Sequence, residues 1–452
     1  MLRLKLALAR VLRTLSRRLG RRGGTTLPGR VLLRLEPGTI ATLGKRLERG
    51  SVVISATNGK TTTSAMLASV LESAGTQVVH NRAGSNMNWG VATALLDAGR
   101  SPEQIGLFEV DEAWLAPVAR DLDPSLILLA NLFRDQLDRY GELELLADRW
   151  AELVAERDGR STFVLNADDP LVADLGRERQ RVVYFGVEDR SHSLEALEHA
   201  SDSKRCRNCG HEYVYDTVYL GHLGRYRCPN CGRERPTPQV AAEKVTLHGM
   251  SGSDVRIATP AGAFELSLPL PGLYNVYNAL AATAAALELG ATTAQVGGAL
   301  SRFAAAFGRV ERLQVGGREV AILLVKNPAG ANEVLRTLTL EDGALDLWIA
   351  LNDGIADGRD ISWIWDADFE VLAGRVDRIT CSGTRAEEMA LRLKYAGVDA
   401  PIAVERDLGR SLDAAVGDRD GGGPLYALPT YTALLELRDL LADRGVARRW
   451  SD

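Results

Sequence analysis

The chain has 452 residues, 46% of them hydrophobic and 25% charged, with a formal net charge of −5. That size suits two to three domains with sizeable cores, and the mixture is that of a soluble globular protein rather than a disordered or fibrous one. No run of about 18 apolar residues offers a membrane-spanning helix, and the acidic body argues against nucleic acid as the main partner.

The first 30 residues reverse the charge. They hold nine Arg and Lys and no acid, which leaves 45 basic against 59 acidic groups for the rest. Leucines recur at helical spacing in residues 2–19. That pattern suits either a solvated helix packed on the body or one lying on an anionic membrane surface. Arg and Lys interrupt any signal-peptide core, so the expected location is cytoplasmic, with peripheral association at the inner membrane face left open.

From residue 51 onward, apolar strands alternate with helices. Strands are expected at 51–55, 77–80, 105–110, 125–132, 162–166 and 181–185, with helices between them such as 61–74, 91–98 and 142–157. Such alternation gives a parallel sheet covered on both faces, with ligands at the carboxyl ends of the strands.

The first strand runs into Ser55-Ala56-Thr57-Asn58-Gly59-Lys60-Thr61-Thr62. Strand, Gly-Lys-Thr and helix occur in the order a phosphate-binding loop needs. Gly59 lets the backbone turn close to a polyphosphate, Lys60 reaches the β- and γ-phosphates, and Thr61 or Thr62 offers a hydroxyl to Mg²⁺. This loop binds ATP or GTP. It departs from the usual Walker spacing, because Ile54 stands where a glycine is expected. Glu109, Asp111 and Glu112 follow the third strand. A carboxylate there, Glu109 first, holds Mg²⁺ against the phosphates. In an extended segment Glu109 and Asp111 share one face and Glu112 points away.

In Asn131-Leu-Phe-Arg134-Asp135-Gln-Leu-Asp138, Arg134, Asp135 and Asp138 orient substrate or a second metal, or cap the next helix, and Asn166-Ala-Asp-Asp-Pro170 reads as a turn. Residues 201–236 break the rhythm. Cys206-x-x-Cys209 and Cys228-x-x-Cys231 have the spacing of a closed structural zinc site, so this stretch is an inserted zinc ribbon. The fifth cysteine, Cys381, has no nucleophile-elbow context and is expected to be a buried thiol. The α/β pattern resumes near 245, and an Ala-rich helix spans 276–290. The chain divides into a basic segment at 1–50, an ATP-binding domain at 51–311 interrupted by the ribbon at 201–236, and a second α/β domain at 312–452.

These segments resemble the Mur ligase family over most of the chain. The matches are the loop at 56–62, Glu-Val-Asp-Glu at 109–112, Asn131, Asp135 and Asp138, the 166–170 turn, the helix start with Asn275 and Asn278, and Gly308-Arg-Val-Glu311. The resemblance implies ATP, Mg²⁺, and a carboxylate joined to an amine through an acyl phosphate. It also implies that Asn275 and Asn278 lie near the adenine and that Arg309 reaches nucleotide phosphate.

Three departures stand out. The lysine that amino-acid-adding relatives carbamylate has its place near Trp150. The Asp-Tyr-Ala-His-Pro-like stretch is replaced by Lys326-Asn-Pro-Ala-Gly, and a ribbon interrupts the middle domain. With residues 352–366 and 428–433, they resemble the MurT group, the ligase-like subunits of lipid II isoglutaminyl synthase. That resemblance implies amidation of the D-glutamate α-carboxylate of the lipid II stem peptide to D-isoglutamine. It also implies a heterodimer with a GatD-type class I glutaminase, whose Cys–His pair is completed by an aspartate of this chain. Asp353, Asp357 and Asp360 are the candidates. Asp357 is preferred because its Gly-flanked turn is expected to be exposed.

Two rivals carry their own expectations. A stand-alone Mur ligase adding an amino acid needs no partner. A zinc-ribbon nucleotide switch that binds nucleic acid would use Arg205, Arg207, Arg225, Arg227, Arg233 and Arg235 interleaved with tyrosines.

Overall fold

The computed structural model describes residues 6, 9–11, 26–81, 85–99, 101–135, 143–197, 201–304, 309–417 and 423–447. Its larger sheet contains β1 Ser51–Ser55, β2 Gln77–His80, β3 Gln104–Glu109, β4 Leu126–Leu129, β5 Thr162–Asn166, β6 Val182–Val187, β9 Val240–Leu247, β10 Ser253–Ala258 and β11 Phe264–Leu268, in the order β11-β10-β9-β6-β5-β4-β1-β3-β2. The pairs from β2 through β9 are parallel, while β9, β10 and β11 are antiparallel neighbours.

The sequence explains the difference. β4 is apolar along its whole length, β1 and β5 have apolar centres between polar end residues, and all three are buried on both faces, as central parallel strands must be. β10 alternates buried Val255 and Ile257 with exposed Asp254 and Arg256, so its outer face is solvated. Helices Lys60–Ser73, Leu273–Glu288 and Thr293–Leu300 cover one face of the sheet. Helices Leu115–Leu122 and Leu143–Glu156, with the N-terminal Leu27–Leu35 and Thr39–Gly44, cover the other. Leu6 and Ala9 are buried in that second layer, so the described part of the basic segment packs against the body.

A second sheet follows, built of β12 Arg309–Val315, β13 Arg318–Leu323, β14 Leu345–Ala350, β15 Val376–Ser382, β16 Ile402–Val404 and β17 Leu425–Pro429, in the order β12-β13-β17-β14-β15-β16. Only β12 is antiparallel to its neighbour. Helices Pro328–Thr339 and Ala386–Tyr395 pack on one face, Leu408–Gly417 and Tyr431–Asp443 on the other. The third sheet is the hairpin β7 Val214–Leu220 and β8 Leu223–Arg227 within the insert.

Several elements end earlier than the apolar pattern suggests. β4 stops at Leu129, and residues 130–135 leave the sheet as a loop. The helix expected at 91–98 is Asn88–Ala94 tightened into a 3₁₀ turn at Leu95–Asp97. Among the described residues, no helix is long and apolar enough to cross a membrane.

Candidate active site

The carboxyl end of β1 turns through residues 56–59 into helix Lys60–Ser73. Gly59 has φ +84°, and a Cβ there would collide with Asn278 Oδ1, so glycine is required twice over. No side chain caps the helix N-terminus. Its first N–H groups face the turn, the arrangement that receives an anion. Lys60 folds back over this turn. Its Nζ donates to Ala56 O and lies 2.7 Å from Glu112 Oε2. Burial works against the Lys60 charge, but Glu112, Asp111 and Glu109 more than offset it and raise the pKa. The Glu112 carboxyl is held down in return: burial opposes its charge, while Lys60 and then Lys326 favour it.

Glu112 therefore does not point away from the loop, as strand alternation suggested. β3 ends at Glu109, and a turn from residue 112 brings the third carboxylate onto Lys60. Trp150, at the place of the missing lysine, is fully buried and donates Nε1–H to Glu112 O at 3.1 Å. Glu109 is buried and its backbone is gripped by Asn81, which accepts from Glu109 N at 2.9 Å and donates to Glu109 O at 2.8 Å. Asp111 Oδ1 accepts from Ala113 N at 3.2 Å. Thr61 is half-buried on the first helical turn, and Thr62 lines the cleft beside it.

The loop after β4 completes the floor. Asn131 Oδ1 accepts from Asn58 N at 2.8 Å, and its amide donates to Asn58 O at 3.0 Å. Thr57 Oγ1 accepts from Phe133 N at 3.1 Å. The second sheet reaches in from above. Asn58 and Asn327 exchange side-chain hydrogen bonds of 3.3 and 3.0 Å. Lys326 donates to Thr57 O at 3.3 Å and pairs with Asp135. In the sequence, Lys326 and Asn327 stand out only as a departure from a family pattern; nothing there places them on the phosphate loop. Asp138 lies outside the described residues.

Between the two sheets is an open cleft lined by residues of both. Asn58, Gly59, Thr62, Asn275 and Asn278 line it together with Phe185, Leu220, Leu223, Tyr274, Val310 and Leu323. Asn278 is tied to Thr63 at 3.2 Å and to Asn275 at 3.1 Å, and Asn275 donates to Pro271 O at 2.8 Å. Glu333 also lines the cleft, paired with Arg336, and burial pushes its carboxyl up to about 8. Arg309 lies on β12, and its side chain is outside the described set. The required glycine, the buried cation and the ring of acids fit a nucleotide triphosphate with its divalent ion.

In the insert, the Sγ atoms of Cys206, Cys209, Cys228 and Cys231 all lie within 4.8 Å of one another. Thiolates about 2.3 Å from a tetrahedral ion stand roughly 3.8 Å apart, so the set fits such an ion. Matching turns shape the two halves: Gly210 N donates to Cys206 O at 2.8 Å and Gly232 N to Cys228 O at 3.0 Å, both glycines at positive φ.

Past β14, residues 352–360 form the aspartate loop. Asp357 is not exposed there; it is 6% accessible. Its carboxylate accepts from Gly354 N at 3.1 Å and from Thr432 N at 2.7 Å, which ties the loop to the start of helix Tyr431–Asp443. Burial raises its pKa. Asp353 accepts from Thr384 Oγ1 and Arg385 Nε, both at 2.8 Å. Asp360 is the exposed one of the three and accepts from Ser362 N at 2.8 Å. Asp357 and Asp360 share a second, smaller pocket with Arg134, Asp135 and Lys326. Cys381 is fully buried, which pushes its thiol up to about 12, far from a nucleophile's range.

Comparison with known proteins agrees with this architecture. Residues 54–286 match the Mur ligase middle domain and residues 324–434 the MurT ligase C-terminal domain. The chain is 34% identical, over 96% of its length and 96% of the relative's, to the lipid II isoglutaminyl synthase (glutamine-hydrolyzing) subunit MurT of Staphylococcus aureus strain N315. It is equally identical, over 96% of its length and 95% of the relative's, to the subunit of the same name from Streptococcus pneumoniae. In fold it is similar to a pseudomurein peptide ligase type C from Methanothermus fervidus, with TM-score 0.69 and 22% identity over 88% of this chain and 79% of that one. The phosphate loop, the inserted cysteine knuckles and the aspartate loop thus sit on one continuous match, and the chain belongs to the MurT family of Mur ligase-like proteins.

Proposed function

We propose that this chain is the ligase subunit of a lipid II isoglutaminyl synthase. It uses ATP to convert the D-glutamate α-carboxylate of the stem peptide into an acyl phosphate, which ammonia turns into the D-isoglutamine amide. One observation carries the reading: Lys60, buried at a glycine-turned helix start and ringed by Glu109, Asp111 and Glu112, on a chain that matches named synthase subunits end to end.

The residues divide the work. Lys60 and the N–H groups of the first helical turn bind the β- and γ-phosphates and meet the charge that builds on the transferred phosphoryl group. Glu109 and Thr61 would hold Mg²⁺, which would neutralise charge on those phosphates. Asn275 and Asn278 orient the base, and Arg309 reaches a phosphate. Lys326, placed over Thr57 by the second lobe, is positioned to steer the substrate carboxylate. Nitrogen bonds to the acyl carbon as the C–O bond to phosphate breaks and inorganic phosphate leaves. Zn²⁺ at the four cysteines shapes the insert.

The ammonia comes from a separate GatD-type glutaminase in a heterodimer, because the one cysteine outside the knuckles is inert. Asp360, exposed on its loop, is presented to that partner, and Asp357 positions the loop beneath it. Trp150 at the lysine position argues against a stand-alone ligase. The substrate places the complex at the cytoplasmic face of the membrane.

The test is direct. Lipid II incubated with this chain, ATP, Mg²⁺ and ammonium salt should gain one amide by mass spectrometry, and glutamine should replace ammonium only when the glutaminase is added. Amidation without ATP, or by Lys60→Ala at the wild-type rate, would remove the reading.

A further inference from the structure

The insert is not a remote ornament. β8 is only five residues long. It joins Leu223, on the wall of the cleft, to Cys228 in the knuckles, a span of roughly 17 Å. The hairpin tip at Tyr219, Leu220 and Leu223 is buried in the main core together with Phe133, Tyr277 and Ala329, and Leu220 and Leu223 face the cleft. Gly221, at φ +56°, lies so close to the floor that a Cβ there would come within 2.8 Å of Phe133.

Two adjacent aspartates fasten this tip to the nucleotide loops. Asp168, fully buried, accepts from Tyr277 Oη at 2.7 Å and from Val187 N at 2.8 Å and pairs with Arg235 of the insert, while its carbonyl accepts from Gly224 N at 2.9 Å. Asp169 accepts from Leu132 N at 2.9 Å, and His222 Nε2 lies 3.3 Å from it. Asp202 grips Arg134 in the same loop. The 166–170 segment, which in the sequence reads simply as a turn, is the anchor of the insert.

We infer that the ribbon is a built-in wall of the nucleotide site, and that metal occupancy of its cysteines and nucleotide binding in the cleft support each other. The inference rests on the nucleotide reading of the cleft. Knuckles ordered by metal hold β8 straight and keep Leu220 and Leu223 in the cleft wall. By linkage, a bound nucleotide must then tighten metal binding by the same factor.

The experiment uses full-length protein and the Mg²⁺ complex of a non-hydrolysable ATP analogue. Analogue Kd is measured for zinc-loaded wild type, wild type stripped by a chelator, and Leu223→Ala, with zinc content and thermal melting recorded for each. We expect Kd to rise about 10-fold in Leu223→Ala with zinc content unchanged, and at least as much on stripping. Saturating analogue should lower severalfold the ratio of chelator-bound to protein-bound zinc reached at equilibrium with a colorimetric chelator. Wild type that binds the analogue while a folded, zinc-loaded Leu223→Ala binds it equally well would overturn this inference alone, as would a zinc ratio indifferent to the analogue. Wild type that binds no analogue would overturn the nucleotide reading, and the inference with it.

Discussion

Lys60 Nζ and Glu112 Oε2 are 2.7 Å apart, both side chains are buried, and the Glu112 carbonyl is fixed from behind by Trp150. The cation proposed to bind phosphate is therefore half of a buried ion pair. Replacing Lys60 by Met takes the direct partner from the buried Glu112 carboxylate, leaving only the more indirect support of Lys326, and should cost about 3 kcal/mol of stability in urea unfolding. Lys60→Met with Glu112→Gln should recover most of that loss while amidation stays down by about 10³-fold or more. A double variant as unstable as the single one would show that the pair is not the source.

Glu109 should act through the metal. Glu109→Gln is expected to raise the Mg²⁺ needed for half-maximal activity by at least about tenfold, with little change in melting temperature, because the Asn81 grip on Glu109 is entirely to its backbone. A Mg²⁺ titration at saturating ATP reads this out, and an unchanged midpoint would move the metal to Asp111 or Glu112.

His222 makes the fold sensitive to pH. Burial alone would lower the pKa of this imidazole, yet Asp169 and, behind it, Asp202 raise it above 6.5. The folded state thus prefers the proton more than the unfolded chain does. The stabilisation is complete below pH 6.5 and is lost as pH rises through the folded value, with a slope of at most about 1.4 kcal/mol per pH unit. Unfolding free energy measured from pH 6 to 9 should fall over that window in wild type and stay flatter in His222→Gln.

Asp360 and Asp357 should fail in different ways. Asp360→Asn is expected to abolish glutamine-driven amidation by the complex while ammonium-driven amidation continues. Asp357→Asn should lower stability by about 1 kcal/mol, as loss of a helix-start hydrogen bond does, and impair both nitrogen sources. The reverse pattern would restore Asp357 as the residue the partner meets.

Much of the larger sheet could be read from the chain, because buried parallel strands are written as plain apolar runs: β1, β2 and β5 fall where the pattern puts them. The phosphate loop was legible for a similar reason, since its glycine, lysine and threonines are local. What alternation could not supply was Glu112, because period-two reasoning fails where the strand ends at Glu109. Nor could it supply Asn327 or Asp169, whose partners Asn58 and Leu132 lie far away in sequence or across a turn. Asp357 misled for another reason. Flanking glycine suggested exposure, but a carboxylate that satisfies a helix's first N–H groups is drawn inward.

The paired amides of Asn58 and Asn327 join the two lobes directly at the glycine turn. One belongs to the turn that would grip triphosphate; the other opens the first helix of the lobe that displays Asp360. Loss of either asparagine would therefore loosen the contact between that turn and that lobe.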